Sequence, residues 1–300
     1  MANNSDYRKY LIPQEAAKLA NIDLLAKLVV EGFITGLHRS PYHGFSVEFA
    51  EHRQYRPGDE IRHIDWKIYG RTNKYYVKQF EEETNLRAYI AVDSSASMNY
   101  KSEGNISKFE YAIYLAAALS YLLIKQRDAV GLATYDTVIN NFLPSKSKPS
   151  YINEILRALD NTKPASETGT ASSLESLAER IKRRGLIIIF SDFFDTKESV
   201  LKAFNHFRHQ GHEVLAFMLL DPREIDFKFG YPATFKDMET NQEMVTNPYL
   251  IHKSYSKAVE EYIHFLKNEC SKIKVDFNVI NTSEPFDKAL KEYLIKRSKI

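Results

Sequence analysis

From Leu86 onward, short runs of apolar, β-branched residues alternate with segments whose apolar residues recur at helical spacing. The extreme case is Leu186–Phe190 (LIIIF), which has no polar face and therefore reads as a strand covered on both sides. Arg87–Val92 (RAYIAV), Ala129–Thr134, Glu213–Leu219 and Lys274–Ile280 read as further strands. Val138–Phe142 is joined to its predecessor by a tight turn at Tyr135-Asp136-Thr137. Helical periodicity spans Ser107–Arg127, with Phe109, Ala112, Ile113, Ala116, Leu119 and Leu123 on the inner side. It also covers Ser150–Leu159, Ala171–Arg184, Ser199–His209, His252–Ser271 and Glu284–Lys296. Strands alternating with helices require an α/β fold, a mostly parallel sheet with helices on both faces. Such sheets bind ligands at the carboxyl ends of their strands, which directs attention to the residues after Val92 and Phe190.

The 300-residue chain is long enough for one large domain and a smaller one. Residues 1–86 read as an N-terminal helix, with Leu19, Ile22, Ala26, Val29 and Phe33 along Pro13–Thr35, followed by a small β-rich segment. Residues 87–300 form the α/β domain, with a hairpin insertion near 225–247 signalled by Gly230 and Asn241. Lys and Arg number 41 against 39 Asp and Glu, so net charge gives no electrostatic footprint for nucleic acid. The single Cys270 rules out an internal disulfide framework and suits a reducing compartment. The N-terminal residues lack a signal-peptide core. The most apolar helical stretch, Tyr114–Ile124, falls short of the about 20 residues of a bilayer span. The expectation is a cytoplasmic protein without a membrane span.

Asp93-Ser94-Ser95-Ala96-Ser97 stands at the end of the first core strand. A D-x-S-x-S loop offers one carboxylate and two hydroxyls, all hard oxygen donors with room for water. That suits Mg²⁺, which needs a near-octahedral oxygen shell at about 2.1 Å. Alone, the same residues serve equally well as a helix cap. Two further features lie at the same predicted sheet edge. Thr170 ends the Glu167-Thr168-Gly169-Thr170 loop, and Asp192 follows the LIIIF strand.

In these five residues the chain resembles the von Willebrand factor A superfamily, whose metal-ion-dependent adhesion site joins D-x-S-x-S to a distant Thr and Asp. The resemblance implies a Rossmann-type sheet and a metal site of Asp93, Ser95, Ser97, Thr170 and Asp192. It implies hydroxyls that bind the ion directly, aspartates that act through water, and an open position for an acidic residue of a protein partner. Mg²⁺ is the expected ion, with Mn²⁺ or Ca²⁺ as alternatives.

A second resemblance rests on Gly36-Leu-His-Arg-Ser, Gly44-Phe-Ser-Val-Glu-Phe and Tyr55-Arg-Pro-Gly-Asp-Glu-Ile-Arg-His-Ile-Asp-Trp66. Arg71-Thr72 and Lys78-Gln79-Phe80-Glu81-Glu82-Glu83 extend it. This pattern looks like the bacterial family labelled "domain of unknown function 58". That likeness implies a MoxR-type AAA+ ATPase as associate, in assembly or maturation of other proteins. Physically, Pro57-Gly58 is a turn pair, Asp59 a cap, and Trp66 is expected to bury a large face. Arg53, Arg56, Arg62 and Arg71 are either scaffold or a partner- or anion-binding surface.

No catalytic or nucleotide-binding signature accompanies these features. His206, His209 and His212 lack zinc-site companions, no P-loop follows Gly32 or Gly36, and no nucleophile elbow surrounds Ser95 or Ser97. The leading expectation is a non-enzymatic, metal-dependent protein-interaction module with no nucleic-acid partner. The alternatives are a metal-dependent phosphoester hydrolase recruiting Arg62 or His63, and nucleic-acid binding through the basic Arg53–Lys78 segment.

Overall fold

The computed structural model describes residues 7–19, 21–37, 52–55, 66–78, 86–164, 170–229, 233–236 and 243–297. The strands along them are β1 (His52–Gln54), β2 (Tyr76–Lys78), β3 (Arg87–Asp93), β4 (Ala129–Tyr135) and β5 (Ile139–Lys146), then β6 (Leu186–Ser191), β7 (Glu213–Leu220), β8 (Ala233–Lys236), β9 (Glu243–Thr246) and β10 (Val275–Asn281). The helices are α1 (Pro13–Ala16), α2 (Ile22–Leu37), α3 (Trp66–Thr72), α4 (Lys108–Lys125) and α5 (Ile152–Asn161), then α6 (Thr170–Arg180), α7 (Lys197–His209), α8 (Pro222–Asp226), α9 (Pro248–Lys272) and α10 (Asp287–Arg297).

Six strands form one sheet in the order β5-β4-β3-β6-β7-β10. All are parallel except β5, which folds back antiparallel on β4 through the predicted tight turn. The chain winds outward from β3 through β4 to β5, then returns to β6 on the other side of β3. The order of winding therefore reverses between β3 and β6, and that switch point is where doubly wound sheets open a crevice. Two small antiparallel pairs, β1–β2 and β8–β9, lie outside this sheet, the second at the predicted hairpin insertion.

Side chains alternate across the pleat. Ala88, Ile90 and Val92 of β3, with Leu186, Ile188 and Phe190 of β6, share a core with α2, α4, α5 and α10. Tyr89, Ala91, Ile187 and Ile189 point the other way, toward α6, α7 and α9. Helix α4 begins at Ser107, whose hydroxyl and Glu110 form a reciprocal capping box. Beyond the expected inner stripe, Leu115, Ala117, Ala118 and Leu122 are buried as well. The reason is α2, which lays Leu25, Ala26, Val29, Val30 and Phe33 onto the outer side of α4.

The single helix expected over Pro13–Thr35 is two. Asn21 interrupts it, its Oδ1 accepting from the backbone N–H of Asp23 and Leu24 at 2.9 and 3.0 Å, so a second helix starts there. Cys270 is buried in α9, and burial pushes its thiol up to about 12, in keeping with a core role. Among the described residues, no helix is long and apolar enough to cross a membrane.

Gly185 sets how closely β3 and β6 approach at their starts. A Cβ at this position would stand 2.3 Å from the Arg87 carbonyl oxygen, and backbone cannot yield as a side-chain tip can. Gly185→Ala is expected to destabilise the protein by about 1–3 kcal/mol. Urea unfolding checks this, and a midpoint equal to wild type would show that the two strands can part without cost.

Candidate metal centre

Parallel pairing places Val92 of β3 opposite Phe190 of β6 and Asp93 opposite Tyr135 of β4. The residues that follow β3 and β6 consequently emerge side by side at the switch point. Asp93 is buried, and its Oδ1 accepts from the backbone N–H of Ser95 at 2.9 Å. Its Oδ2 accepts from the Thr170 hydroxyl at 3.0 Å and the Ser191 hydroxyl at 2.6 Å. Ser94 turns away from this cluster, and both its N–H and its hydroxyl donate to the Tyr135 carbonyl. Ser95 and Ser97 stand with their hydroxyl oxygens 3.2 Å apart.

Asp93 keeps one bond of the local capping kind, from the N–H two residues on, whereas the hydroxyls of the loop do not cap. Ser95 precedes a short 3₁₀ turn, Ala96–Asn99, yet its side chain makes no capping hydrogen bond. Thr170 opens α6, but its hydroxyl donates across to Asp93. The α4 cap is Ser107, well downstream. The hydroxyls of the motif thus face the Asp93 cluster or each other.

Asp192 is also buried. Its Oδ2 accepts from the Lys108 ammonium at 2.8 Å, and its Oδ1 accepts from the Phe194 N–H at 3.3 Å. The bend that carries it places Phe193 at φ +52°, a left-handed conformation costly for a bulky residue. That bend is held by the Phe193 N–H donating to Ser191 Oγ at 2.9 Å and by the Asp195 N–H donating to the Phe193 carbonyl at 2.8 Å.

Burial raises the Asp93 carboxyl to about 6, and the Asp192 charge adds to the effect against the hydrogen bonds from Ser191 and Ser95. Lys108 shows the opposite balance. Burial alone would disfavour its ammonium, but Asp192 and Glu224 more than offset this and its pKa is raised. The Tyr135 hydroxyl is fully buried beside the same groups, and burial raises its pKa, with the Asp93 charge adding to the effect against an interaction with Ser191.

The oxygen atoms gathered at these strand ends are two carboxylates, the hydroxyls of Ser95, Ser97 and Thr170, and the buried Tyr135 phenol. These are hard oxygen ligands without nitrogen or sulfur, the chemistry Mg²⁺ or Ca²⁺ requires. Among the described residues, no group of three or more His, Cys, Asp or Glu side chains gathers as a metal site, at these strand ends or elsewhere.

Three participants escape sequence reasoning. Ser191 and Tyr135 carry no motif. Lys108 did leave a signal, because a cation at the first residue of a helix opposes the helix dipole and demands nearby carboxylates. The candidate partner surface is only partly described. Arg53 lies in β1 and Arg71 is exposed on α3, whereas Arg56 and Arg62 fall outside the described residues. Trp66 does not bury the face expected of it and is 57% exposed. It meets Tyr69 edge-on, and Tyr69 stacks on Tyr75 at 4.5 Å, so these rings pack on one another outside the main core.

Fold and site together define a mixed α/β protein with a mostly parallel sheet and a buried, oxygen-rich cluster at its switch point. The chain belongs to the family described as "Protein of unknown function DUF58", which matches residues 51–262. "Uncharacterized protein Rv1480" of Mycobacterium tuberculosis is 28% identical over 234 residues, covering 76% of this chain and 72% of that protein. "Uncharacterized protein YeaD" of Bacillus subtilis is 26% identical over 121 residues, 40% of this chain and 28% of that one. Among solved structures, the conserved hypothetical protein BatB from Bacteroides thetaiotaomicron superposes with a TM-score of 0.46 at 17% identity. It covers 72% of this chain and 100% of that chain.

The Asp93 carboxyl makes stability depend on pH. Its ordinary value is 3.8, against about 6 in the fold. Between these values the folded protein keeps a proton that the unfolded chain has released. Stability therefore falls as pH rises through that window and stays low above it. The difference corresponds to roughly 3 kcal/mol. In chelator, Asp93→Asn is expected to match wild type near pH 4 and to exceed it in stability by up to that amount at pH 7. Urea unfolding across this range tests it, and a gap between the two proteins that does not change with pH would refute the assignment.

Proposed function

We propose that this chain is a non-enzymatic, metal-dependent protein-interaction module of the von Willebrand factor A-like class, with Mg²⁺ as its ion and Mn²⁺ or Ca²⁺ as alternatives. The observation that carries this reading is the convergence of Asp93, Ser95, Ser97, Thr170 and Asp192 at the carboxyl ends of β3 and β6. In this reading the Ser95, Ser97 and Thr170 hydroxyls hold the ion, and Asp93 and Asp192 hold its waters. The bound ion supplies a positive, open position for a carboxylate oxygen of a partner protein. Thr170 and Ser191 orient Asp93, and Lys108 orients Asp192. Val138, three residues past Tyr135, and Phe194, two residues past Asp192, are 60% and 41% exposed and offer a partner apolar contact at the same strand ends.

Hydrolysis is the weaker reading. Among the described residues, neither Ser95 nor Ser97 is hydrogen-bonded to a His, and the cation beside Asp192 is committed to two carboxylates. Arg62 and His63, the candidates for that chemistry, lie outside the described residues. The resemblance over Gly36 to Asp192 favours a MoxR-type AAA+ ATPase as the partner, with the pair acting on other proteins in the cytoplasm. Asp93→Ala is expected to abolish both Mg²⁺ binding by calorimetry and chelator-sensitive co-purification with such an ATPase, with circular dichroism unchanged. Undiminished co-purification by a folded Asp93→Ala protein would overturn the reading.

One observation favours a second reading, nucleic-acid binding. Trp66 and Tyr75 are 57% and 44% exposed, with Arg71 and Lys74 exposed on the same segment. Aromatic faces beside cations suit unpaired bases. On this reading a gel shift with a single-stranded oligonucleotide weakens steeply between 50 and 200 mM salt, roughly the range over which phosphate contacts are lost. It is also lost in Trp66→Ala. Absence of a shift at low salt dismisses it.

A further inference from the structure

Lys108 is a buried lysine at the first residue of α4. The positive end of the α4 dipole lies beside it, and desolvation adds a further penalty to its charge. What keeps it ionised is a pair of carboxylates: Asp192 Oδ2 at 2.8 Å and Glu224 Oε1 at 2.6 Å. The rings of Phe194 and Tyr100 flank the ammonium at 5.3 and 6.0 Å from their centroids.

Glu224 belongs to α8, the turn that follows β7 and leads into the β8–β9 insertion. It is held in place from its own side. Its other carboxylate oxygen accepts from the Asp221 N–H at 2.8 Å, and Asp221 in turn accepts from the Ser102 N–H and hydroxyl at 2.9 and 3.0 Å. The ammonium therefore joins the strand-end aspartate of the candidate site to an anchored turn on a different part of the chain.

Charge bookkeeping gives this bridge a consequence. Asp93, Asp192 and Glu224 bring three negative charges into buried surroundings, and Lys108 returns one positive charge. We propose that Lys108 is a resident cation of the site, standing in for part of a divalent ion's charge in the metal-free protein and lowering the site's divalent affinity, with Glu224 acting through Lys108 in the opposite sense. This rests on the metal reading above, and it assigns Lys108 and Glu224 as positioning residues outside the five-residue motif.

The test uses Mn²⁺ binding to the full chain, followed by electron paramagnetic resonance with Mg²⁺ competition. Removing the positive charge with Lys108→Met is expected to tighten Mn²⁺ binding by on the order of tenfold or more, as loss of a nearby like charge in a poorly screened site requires. Removing the negative charge with Glu224→Gln is expected to weaken it by a similar factor. The double variant, which deletes the pair, returns close to wild type. Mere damage to the fold would weaken binding in both single variants, so opposite signs distinguish a charge effect from a structural one. If Lys108→Met does not fold, the double variant is compared with Glu224→Gln, and tighter binding by the double variant is the supporting result. Wild-type binding that is lost in Asp93→Ala, combined with single variants that shift together or not at all, overturns the role of Lys108 and leaves the metal reading standing. Binding by Lys108→Met but not by wild type supports the resident cation and overturns metal dependence in the native chain. No binding by any folded variant overturns both.

Discussion

Two carboxylates, Asp93 and Asp192, are taken out of water at the ends of adjacent parallel strands, and the neighbouring elements are placed by what that burial demands. The β3–β6 register brings them together, since Val92 pairs with Phe190 and the chain continues from both strands at the same level. Repulsion and desolvation leave Asp93 hard to ionise. The fold answers with donors of three kinds: a backbone N–H from the motif loop, hydroxyls from α6 and β6, and an ammonium from α4. Helices α4 and α6 both begin at residues hydrogen-bonded to these carboxylates, so the positive ends of two helix dipoles lie at the negative cluster.

Much of this framework is legible in the residues themselves, for a physical reason. A strand covered on both faces has to be apolar at every position, so Leu186–Phe190 declares itself without reference to the rest of the chain. The same holds for the helix from Ser107, with its cap and its long apolar stretch. The candidate site is legible because short oxygen-bearing side chains in a D-x-S-x-S spacing are informative once their strand is placed. What stays hidden depends on distant partners. The second buried face of α4 exists only because α2 covers it, and nothing local to Ala117 or Leu122 says so. Asn21 lies within an apparently continuous helical stripe, and the periodicity of the apolar residues around it does not show that its side chain starts a second helix. Tyr135 belongs to the site through strand register alone, as it stands opposite Asp93 in a neighbouring strand. Trp66 misleads in the other direction: large apolar area usually predicts burial, but here aromatic neighbours within its own segment take up only part of it.

Stability alone does not account for the charged cluster. A buried ion pair seldom gains more from attraction than it loses in leaving water, and apolar side chains of similar volume often do as well or better. Here the balance is less favourable still, because the Lys108 ammonium faces two carboxylates while a third, Asp93, has no cation within hydrogen-bond reach among the described residues. Asp93, Asp192, Glu224 and Lys108 together carry a net charge of two negatives when all are ionised, which a single divalent ion would neutralise. A ligand that binds only the folded state adds to its stability in proportion to the logarithm of its concentration over its dissociation constant. The deficit built into this cluster is therefore the kind of energy that such an ion can recover. Under the proposed role, Lys108 moderates this deficit without removing it, so that the metal-free chain folds and the strand ends stay receptive to a hard cation.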